Sequence, residues 1–116
     1  MPQKAFHLSA EQIRPLANGF GSCLATDRIV VAGRKVGYCY REAPDTAHDS
    51  GWRFFAGDES QEYVEDPGNL GLYDVNTIAN YDPELIPLLT SPVGSAYERN
   101  ALDMFQPVPF AQPGEA

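Results

Sequence analysis

The sequence predicts a single α+β domain, a twisted and mainly antiparallel sheet with short helices packed on it. Three observations support this fold class. The chain has 116 residues, enough for one domain whose core needs no disulfide or metal. Short stretches of strand-like sequence are joined by loops of a length that favours antiparallel neighbours. Short helix starts interrupt these stretches, and the sequence contains no repeat or heptad pattern.

The N-terminal segment, residues 1–22, is predicted to form a short helix and a turn. Ser9, followed three positions later by Gln12, matches a capping box, in which each side chain satisfies a backbone donor of the other residue. The helix is expected over residues 10–17, and Pro15 limits its length. Turn-forming residues follow at 18–21.

Three stretches with strand-like composition come next: residues 23–26, 28–32 and 36–41. In the third, Val36, Tyr38 and Tyr40 occupy every second position, the period of a strand with one buried face. The second stretch could instead be a helical turn, because a run of apolar residues does not discriminate between the two.

A central strand is predicted at residues 52–56, which include the only tryptophan of the chain, Trp52. Aromatic residues suit a pleated and half-buried surface. A loop over residues 42–48 and a turn at Gly51 precede this strand, and Gly57 ends it. The strands at 36–41 and 52–56 are therefore expected to be antiparallel neighbours.

The second half of the chain is expected to be more helical. Residues 58–66 favour a short helix with Asp58 near its start, and residues 72–76 favour a strand. Asp82 and Pro83 form a good helix start, and Pro87 shortens or kinks the helix that follows.

The end of the chain combines a last strand with an extended tail. The strand is predicted at residues 93–98, and the proline-containing tail spans residues 101–116. The tail is expected to be ordered only where Met104, Phe105 or Phe110 finds a groove.

The charge balance restricts the classes of partner. The formal net charge is −8, so a bare nucleic acid or an anionic membrane surface would repel the chain. A basic protein or a cationic ligand suits it better, unless the acidity serves solubility alone. No apolar signal core or membrane-length stretch is present, which predicts a cytoplasmic protein.

The two cysteines, Cys23 and Cys39, do not form a disulfide framework. They are expected to be small buried apolar residues. The alternative is that they meet across adjacent strands and respond to oxidation.

No residue pattern predicts catalysis, a metal or a cofactor. Asp45, His48 and Asp49 have metal-binding side chains, but too few further ligands are nearby for zinc, and capping of loop backbone is the simpler interpretation. The consecutive residues His48, Asp49 and Ser50 cannot present a catalytic triad to one another. We therefore expect a protein that is not an enzyme.

Aromatic residues cluster in the two central strands: Tyr38, Tyr40, Trp52, Phe54 and Phe55. Such residues could stack on bases, but a nucleic-acid platform would require more surrounding lysine and arginine than these strands contain. Core packing is the expectation for most of them.

The best candidate for a binding surface is an acidic segment of five carboxylates within nine residues: Asp58, Glu59, Glu62, Glu65 and Asp66. Their combined field would steer a basic partner towards the chain. Trp52 or Tyr63 could add an aromatic anchor. The alternative is a solvated helix face without a partner.

Four blocks of sequence carry a family resemblance: residues 36–44, 49–59, 73–83 and 92–99. In order and spacing they resemble a bacterial family that was first described as a domain of unknown function and then grouped with immunity proteins, the immunity protein thirty-three-like family. The resemblance covers residues 23–100. Among the shared residues, Asp58 and Glu59 are those that core packing explains least.

The resemblance implies a non-enzymatic protein that binds a cognate bacterial toxin in the cytoplasm and blocks it. It transfers no catalytic or metal-binding residue. Together with the charge, it gives the hypothesis of an immunity protein that covers a basic toxin surface with the acidic segment. The alternative is a stand-alone small-ligand-binding or regulatory domain, with the Trp52 strand lining a pocket.

Overall fold

The computed structural model describes residues 4–110, which form six strands, three α-helices and three short 3₁₀ helices. The strands are β1 (Ser22–Thr26), β2 (Tyr38–Arg41), β3 (Asp49–Phe55), β4 (Leu70–Asp74), β5 (Ala96–Arg99) and β6 (Phe105–Pro107). The α-helices are α1 (Asp27–Val30), α2 (Gln61–Glu65) and α3 (Val75–Tyr81). The 3₁₀ helices are Ala10–Gln12, Pro67–Asn69 and Pro83–Leu88.

All six strands belong to one sheet with the order β4-β1-β3-β2-β5-β6. The β1–β3 pair is parallel and the other four pairs are antiparallel. The predicted α+β class with a mainly antiparallel sheet is therefore confirmed. The predicted neighbours at 36–41 and 52–56 are β2 and β3, and they are antiparallel as expected.

Helices α1 and α3 cover one face of the sheet and form the core with it. From the sheet, the core contains Cys23, Ala25, Cys39, Trp52 and Phe54; from α1 and α3 it contains Ile29, Val30, Val75, Ile78 and Ala79. Leu85 and Leu89 extend it beside α3. The helices are too short to be stable alone, so burial of these side chains stabilises them.

The opposite face, which we call the open face, carries the alternate residues of the strands: Leu24, Tyr38, Tyr40, Arg53, Phe55, Leu72 and Glu98. These residues are cross-strand partners, so their side chains share one side of the sheet. Tyr38 and Tyr40 therefore lie opposite the core, and Cys39 between them packs inside it. The predicted strand period is confirmed, but the core lies on the other face.

The N-terminal predictions hold in part. Gln12 Oε1 accepts a hydrogen bond from the Ser9 N–H at 2.8 Å, as the capping box requires. The helix is only the 3₁₀ turn Ala10–Gln12 because the backbone becomes extended at Ile13, two residues before Pro15. Of the predicted segment 1–22, residues 1–3 lie outside the described residues.

Between β1 and β2, the helical alternative is the correct one. Residues 27–30 form α1, which follows β1 directly. Ile29 and Val30 on this helix are both buried in the core. The apolar run at 29–32 therefore begins in a helix that packs on the sheet and is not a strand within it.

The second half differs most from prediction at α3. Residues 72–76 were expected to be a strand, but β4 ends at Asp74 and Val75 begins the helix. The Asp74 side chain accepts from the Asn76 N–H at 2.8 Å and caps α3. The predicted helix start at Asp82 and Pro83 is confirmed, and the helix is the 3₁₀ segment Pro83–Leu88.

The C-terminal part adds a strand that the sequence did not predict. Phe105–Pro107 pairs with β5, and Phe105 packs against the core. The ring of Phe110 contacts Tyr40 edge-on, with centroids 5.5 Å apart. Both phenylalanines therefore pack against the domain; the remaining residues 111–116 of the predicted tail lie outside the described residues.

Both cysteines are buried free thiols in the core, as expected. Cys23 lies on β1 and Cys39 on β2, and β3 lies between these two strands. Two strand spacings separate them by roughly 9–10 Å, more than a disulfide spans. The alternative of a redox pair across adjacent strands is therefore wrong.

Candidate interaction surface

Three aromatic rings form a cluster on the open face of the sheet. The ring centroids of Tyr38, Tyr40 and Phe55 lie 5.8–6.0 Å apart in each pair. Tyr38 and Phe55 keep part of their surface exposed, whereas Tyr40 is buried under its neighbours. Burial raises the pKa of Tyr40 to about 12, and Glu42 adds to this effect, so its hydroxyl stays neutral in solution. The cluster is a largely apolar floor, and Phe110 covers it in part at Tyr40.

A cleft of about 750 Å³ lies above this floor. The three rings form its base, and the chain that leaves β3 forms one wall, which includes Asp58, Glu59 and Val64. Residues 98–100 form the opposite wall. Gly57 shapes the first wall, because its φ of 104° turns the chain in a conformation that favours glycine. The cleft therefore joins the aromatic cluster to the acidic segment.

Asp58 pairs with two arginines of the same chain. Its carboxylate lies 2.6 Å from Arg34 Nη1 and 3.1 Å from Arg28 Nη1. These guanidinium groups, Arg34 first, lower the pKa of Asp58. The side chain remains about half exposed, so its charge is shared between these arginines and the solvent.

Glu59 holds the loop after β3 in place. Its Oε2 accepts from Thr26 Oγ1 at 2.6 Å and from the Ala56 N–H at 2.7 Å. Its Oε1 accepts from the Gly57 N–H at 2.8 Å. Three short hydrogen bonds to one carboxylate tie the end of β3 to the end of β1. This structural role accounts for Glu59, which core packing alone did not explain.

The rest of the acidic segment lies on or beside α2. Glu62, Glu65 and Asp66 are exposed. Tyr63 is half-buried, and the Arg28 guanidinium stacks on its ring, 4.7 Å from the centroid. Ser60 caps the helix by accepting from the Tyr63 N–H at 3.1 Å. The helix therefore presents three carboxylates outwards from a position fixed by Arg28.

Trp52 has a different environment from the other predicted site residues. Its side chain is 0% exposed, its ring stacks on Phe54, and its indole N–H donates to the Leu89 carbonyl at 3.3 Å. A residue with no accessible surface cannot contact a partner in this conformation. We therefore assign Trp52 to the core, and the exposed aromatic surface beside the acidic segment comes from Tyr38 and Phe55.

An ion-pair network lies beside the aromatic floor. Arg53 is almost fully buried and donates to both oxygens of Asp49 at 2.8 and 2.9 Å and to Glu42 at 2.5 Å. Arg53 reaches Asp49 four residues earlier because β3 bulges at Gly51, where φ is 88° and a β-carbon would lie 2.1 Å from the Glu42 carbonyl oxygen. The buried charge is thereby compensated within the sheet.

The Asp49 carboxylate accepts hydrogen bonds from backbone N–H groups around the loop that precedes β3. Asp49 accepts from the N–H groups of Asp45 and Gly51, each at 2.9 Å, in addition to Arg53. The capping interpretation of this loop is therefore confirmed. Within residues 4–110, no group of three or more metal-binding side chains converges.

A pocket lined by the Trp52 strand was predicted as an alternative, but the residues that line the cleft were not. Core packing was expected for most of the five central aromatic residues, whereas the pleat of β2 and β3 places only Trp52 and Phe54 in the core. Glu98 was also not predicted as a site residue, although it is the cross-strand partner of Tyr38 and lies in the wall formed by residues 98–100. The alternation in residues 36–41 would have placed Tyr38 and Tyr40 on the open face if the position of Cys39 in the core had been known.

The comparisons with known proteins give one match. The family model of the immunity protein Imm33 domain matches residues 23–109, from β1 to just beyond β6, which is more than half of the chain. No curated protein and no solved structure matches. Within residues 4–110, no helix combines the length and the apolar character needed to cross a membrane.

Proposed function

Because the chain belongs to the family of the immunity protein Imm33 domain, we propose that it is a non-enzymatic immunity protein of the cytoplasm. It neutralises a cognate bacterial toxin by covering a basic surface of that toxin. The family gives the general role in toxin immunity. The mode of action is argued from the surface described above.

One arrangement carries the proposal: the acidic segment borders a cleft whose floor is aromatic. Asp58 and Glu59 line the cleft together with the partly exposed Phe55. Glu62, Glu65 and Asp66 are exposed on or next to α2, the helix whose Gln61 and Val64 also line the cleft. Aromatic residues supply much of the binding energy at protein interfaces, and surrounding charges accelerate association and select the partner. With a net charge of −8, the chain favours a basic partner.

The acidic residues have different roles in this proposal. Glu62, Glu65 and Asp66 contact the toxin, with Tyr63 between them. Asp58 and Glu59 contribute charge to the field, but their carboxylates already bind groups of this chain. They therefore shape the surface and contribute less to direct contacts.

The test is reversal of charge on α2. The double variant Glu62→Lys and Glu65→Lys should lose protection in cells that co-express the toxin encoded beside this protein. A control with the same change in net charge is Glu11→Lys and Asp45→Lys, because both side chains are exposed and lie outside the acidic segment. Circular dichroism shows that each variant is folded. Full protection by the α2 variant, or equal loss in the control, would contradict the proposed surface.

The cleft favours a second candidate, the binding of a small ligand by a stand-alone or regulatory domain. A concave site with an apolar floor is the usual form of such a site. Its charged lining groups, however, mostly bind other groups of the same chain: Glu59 binds loop N–H groups, and Arg99 binds Asp82 and Glu84. Few polar groups remain to orient a small ligand, so the toxin remains the leading partner.

A further inference from the structure

The cleft contains one carboxylate that has no partner among residues 4–110, that of Glu98. Glu98 is exposed on β5 and is the cross-strand partner of Tyr38. Among residues 4–110, no hydrogen bond or ion pair ends at its carboxylate, whereas Asp58, Glu59 and Arg99 in the same cleft all have such partners. Burial raises the pKa of Tyr38, and Cys39 and then Glu98 add to this effect.

An aromatic ring beside an uncompensated carboxylate is a complementary surface for a cation. The ring face attracts positive charge, and the carboxylate adds a charge-assisted hydrogen bond. A planar guanidinium meets both requirements at once, because it stacks on rings and binds carboxylates through two parallel N–H groups.

The chain uses the same combination twice elsewhere, and a third arginine, Arg41, contacts a ring and backbone carbonyls. Arg28 stacks on Tyr63 and pairs with Asp58, with its guanidinium 4.7 Å from the ring centroid. Arg99 stacks on Phe105 at 4.1 Å and pairs with Asp82. Arg41 lies 5.9 Å from the Trp52 ring. In the cleft, the ring and the carboxylate are present, and no cation among residues 4–110 pairs with Glu98.

We infer that the cleft receives an arginine side chain of the toxin, stacked on Tyr38 and Phe55 and paired with Glu98. This inference rests on the proposed function and names the group that the surface recognises. The volume of about 750 Å³ accommodates that side chain together with the backbone on either side of it. The neighbouring carboxylates of α2 then contact further basic residues on the rim.

The probe is a pair of five-residue peptides, acetyl-Gly-Gly-Arg-Gly-Gly-amide and the same peptide with citrulline in place of arginine. Citrulline keeps the shape of the side chain and removes its charge. Binding to the ¹⁵N-labelled full chain is followed by nuclear magnetic resonance. The arginine peptide should shift the amide signals of β2 and β5 around Tyr38 and Glu98, and the citrulline peptide should not. Shifts confined to α2, or equal shifts with both peptides, would overturn the inference.

Two substitutions test the individual contacts. Glu98→Gln removes the charge and Tyr38→Leu removes the ring while keeping an apolar side chain. Each should weaken binding of the arginine peptide about two- to fivefold, the range expected of a partly exposed cation–ring contact. Glu11→Gln is the matched control, because it removes one exposed negative charge away from the cleft. Affinity that falls as much in this control would overturn the inference.

Protection against the toxin separates this inference from the proposed function. If the α2 double variant loses protection and the two cleft variants keep it, the proposed function stands and the cleft inference is wrong. If the cleft variants lose protection too, both are supported. If none of them loses protection, both are wrong. A small metabolite that binds to Tyr38 and Glu98 while the toxin is also bound would show that the cleft does not hold a toxin arginine. That result would also overturn the inference.

Discussion

Arg53 and Asp49 form a two-pronged ion pair within the sheet, with Nη1 to Oδ1 at 2.9 Å and Nη2 to Oδ2 at 2.8 Å. Both side chains are nearly inaccessible, at 3% and 8% exposed. The pair lies at the bulge of β3, beside the aromatic floor of the cleft. A buried ion pair therefore lies beside the binding surface, and because Arg53 lowers the pKa of Asp49, its contribution to stability changes only in acid.

The first prediction concerns Asp49→Asn. Removal of one partner leaves the Arg53 charge less compensated, so the free energy of unfolding at pH 7 should fall by about 2–4 kcal/mol. Arg53 lowers the pKa of Asp49 in the folded chain below its value of about 4 in the unfolded chain. The stabilisation is therefore complete above about pH 4 and is lost as the pH falls below it. Urea unfolding at several pH values measures this.

The control for this prediction is Asp45→Asn. The Asp45 carboxylate lies 3.9 Å from the same guanidinium but is 87% exposed, so its removal should change stability by less than about 1 kcal/mol. The difference in stability between wild type and Asp49→Asn should narrow below pH 4. A difference that stays constant down to pH 2 would show that the pair does not titrate in this way.

The second prediction concerns Glu59→Gln. The three hydrogen bonds that Glu59 accepts cannot all persist, because a glutamine amide offers one acceptor oxygen and one NH₂ group. The free energy of unfolding should fall by about 1–3 kcal/mol. Glu62→Gln, on the exposed side of α2, should change it by no more than about 0.5 kcal/mol. Equal effects of the two substitutions in thermal unfolding would argue against a structural role for Glu59.

The third prediction concerns the thiols. Burial raises the pKa of Cys39 to about 12 and also raises that of Cys23. The thiolate is the reactive form, so Ellman's reagent at pH 8 should modify neither cysteine in the folded protein and both in guanidinium chloride. Oxidant should produce no intramolecular disulfide, because β3 separates the two residues. Fast modification of the native protein would contradict the buried positions.

The fourth prediction uses Trp52 as a reporter. Its indole is fully buried and is the only one in the chain. Its fluorescence should therefore resist acrylamide quenching in the folded state and should change little when a partner binds. Trp52→Phe removes the hydrogen bond to Leu89 and part of the core volume, and should destabilise the fold by about 2–4 kcal/mol. Strong quenching in the native protein would show that Trp52 is exposed to solvent and would contradict its place in the core.

The sequence predicted the sheet and its central hairpin because strand periodicity and turn residues are local signals. It missed α3 because Val75, Thr77 and Ile78 are β-branched, and such residues favour strands until tertiary packing decides otherwise. A local signal for α3 was present, since Asp74 is a good cap two residues before Asn76. The secondary structure of these residues is thus determined by tertiary contacts, which local sequence signals do not reveal.

The candidate site was predicted only in part, and for a related reason. Periodicity shows that Tyr38 and Tyr40 share a face, but it does not show which face the helices cover. Here α1 and α3 cover the face of Cys39, and the tyrosines remain on the open face. The acidic segment can be recognised in the sequence from its composition. The side chains that pair with Asp58 and Glu59, however, come from β1 and from the segment after it, more than 20 residues away.

The fifth prediction follows from those partners of Asp58. Arg34 lies 2.6 Å from this carboxylate and is itself about half exposed, so Arg34→Gln should leave stability within about 1 kcal/mol of wild type. The substitution makes the acidic segment more negative, because one of the two cations beside Asp58 is removed. Association with a basic toxin should therefore become faster at low salt, and the gain should disappear at high salt, where screening is complete. Stopped-flow binding at 20 and 500 mM salt measures this. Slower association at low salt would show that Arg34 itself contacts the toxin, and that the partner surface is not basic at that point.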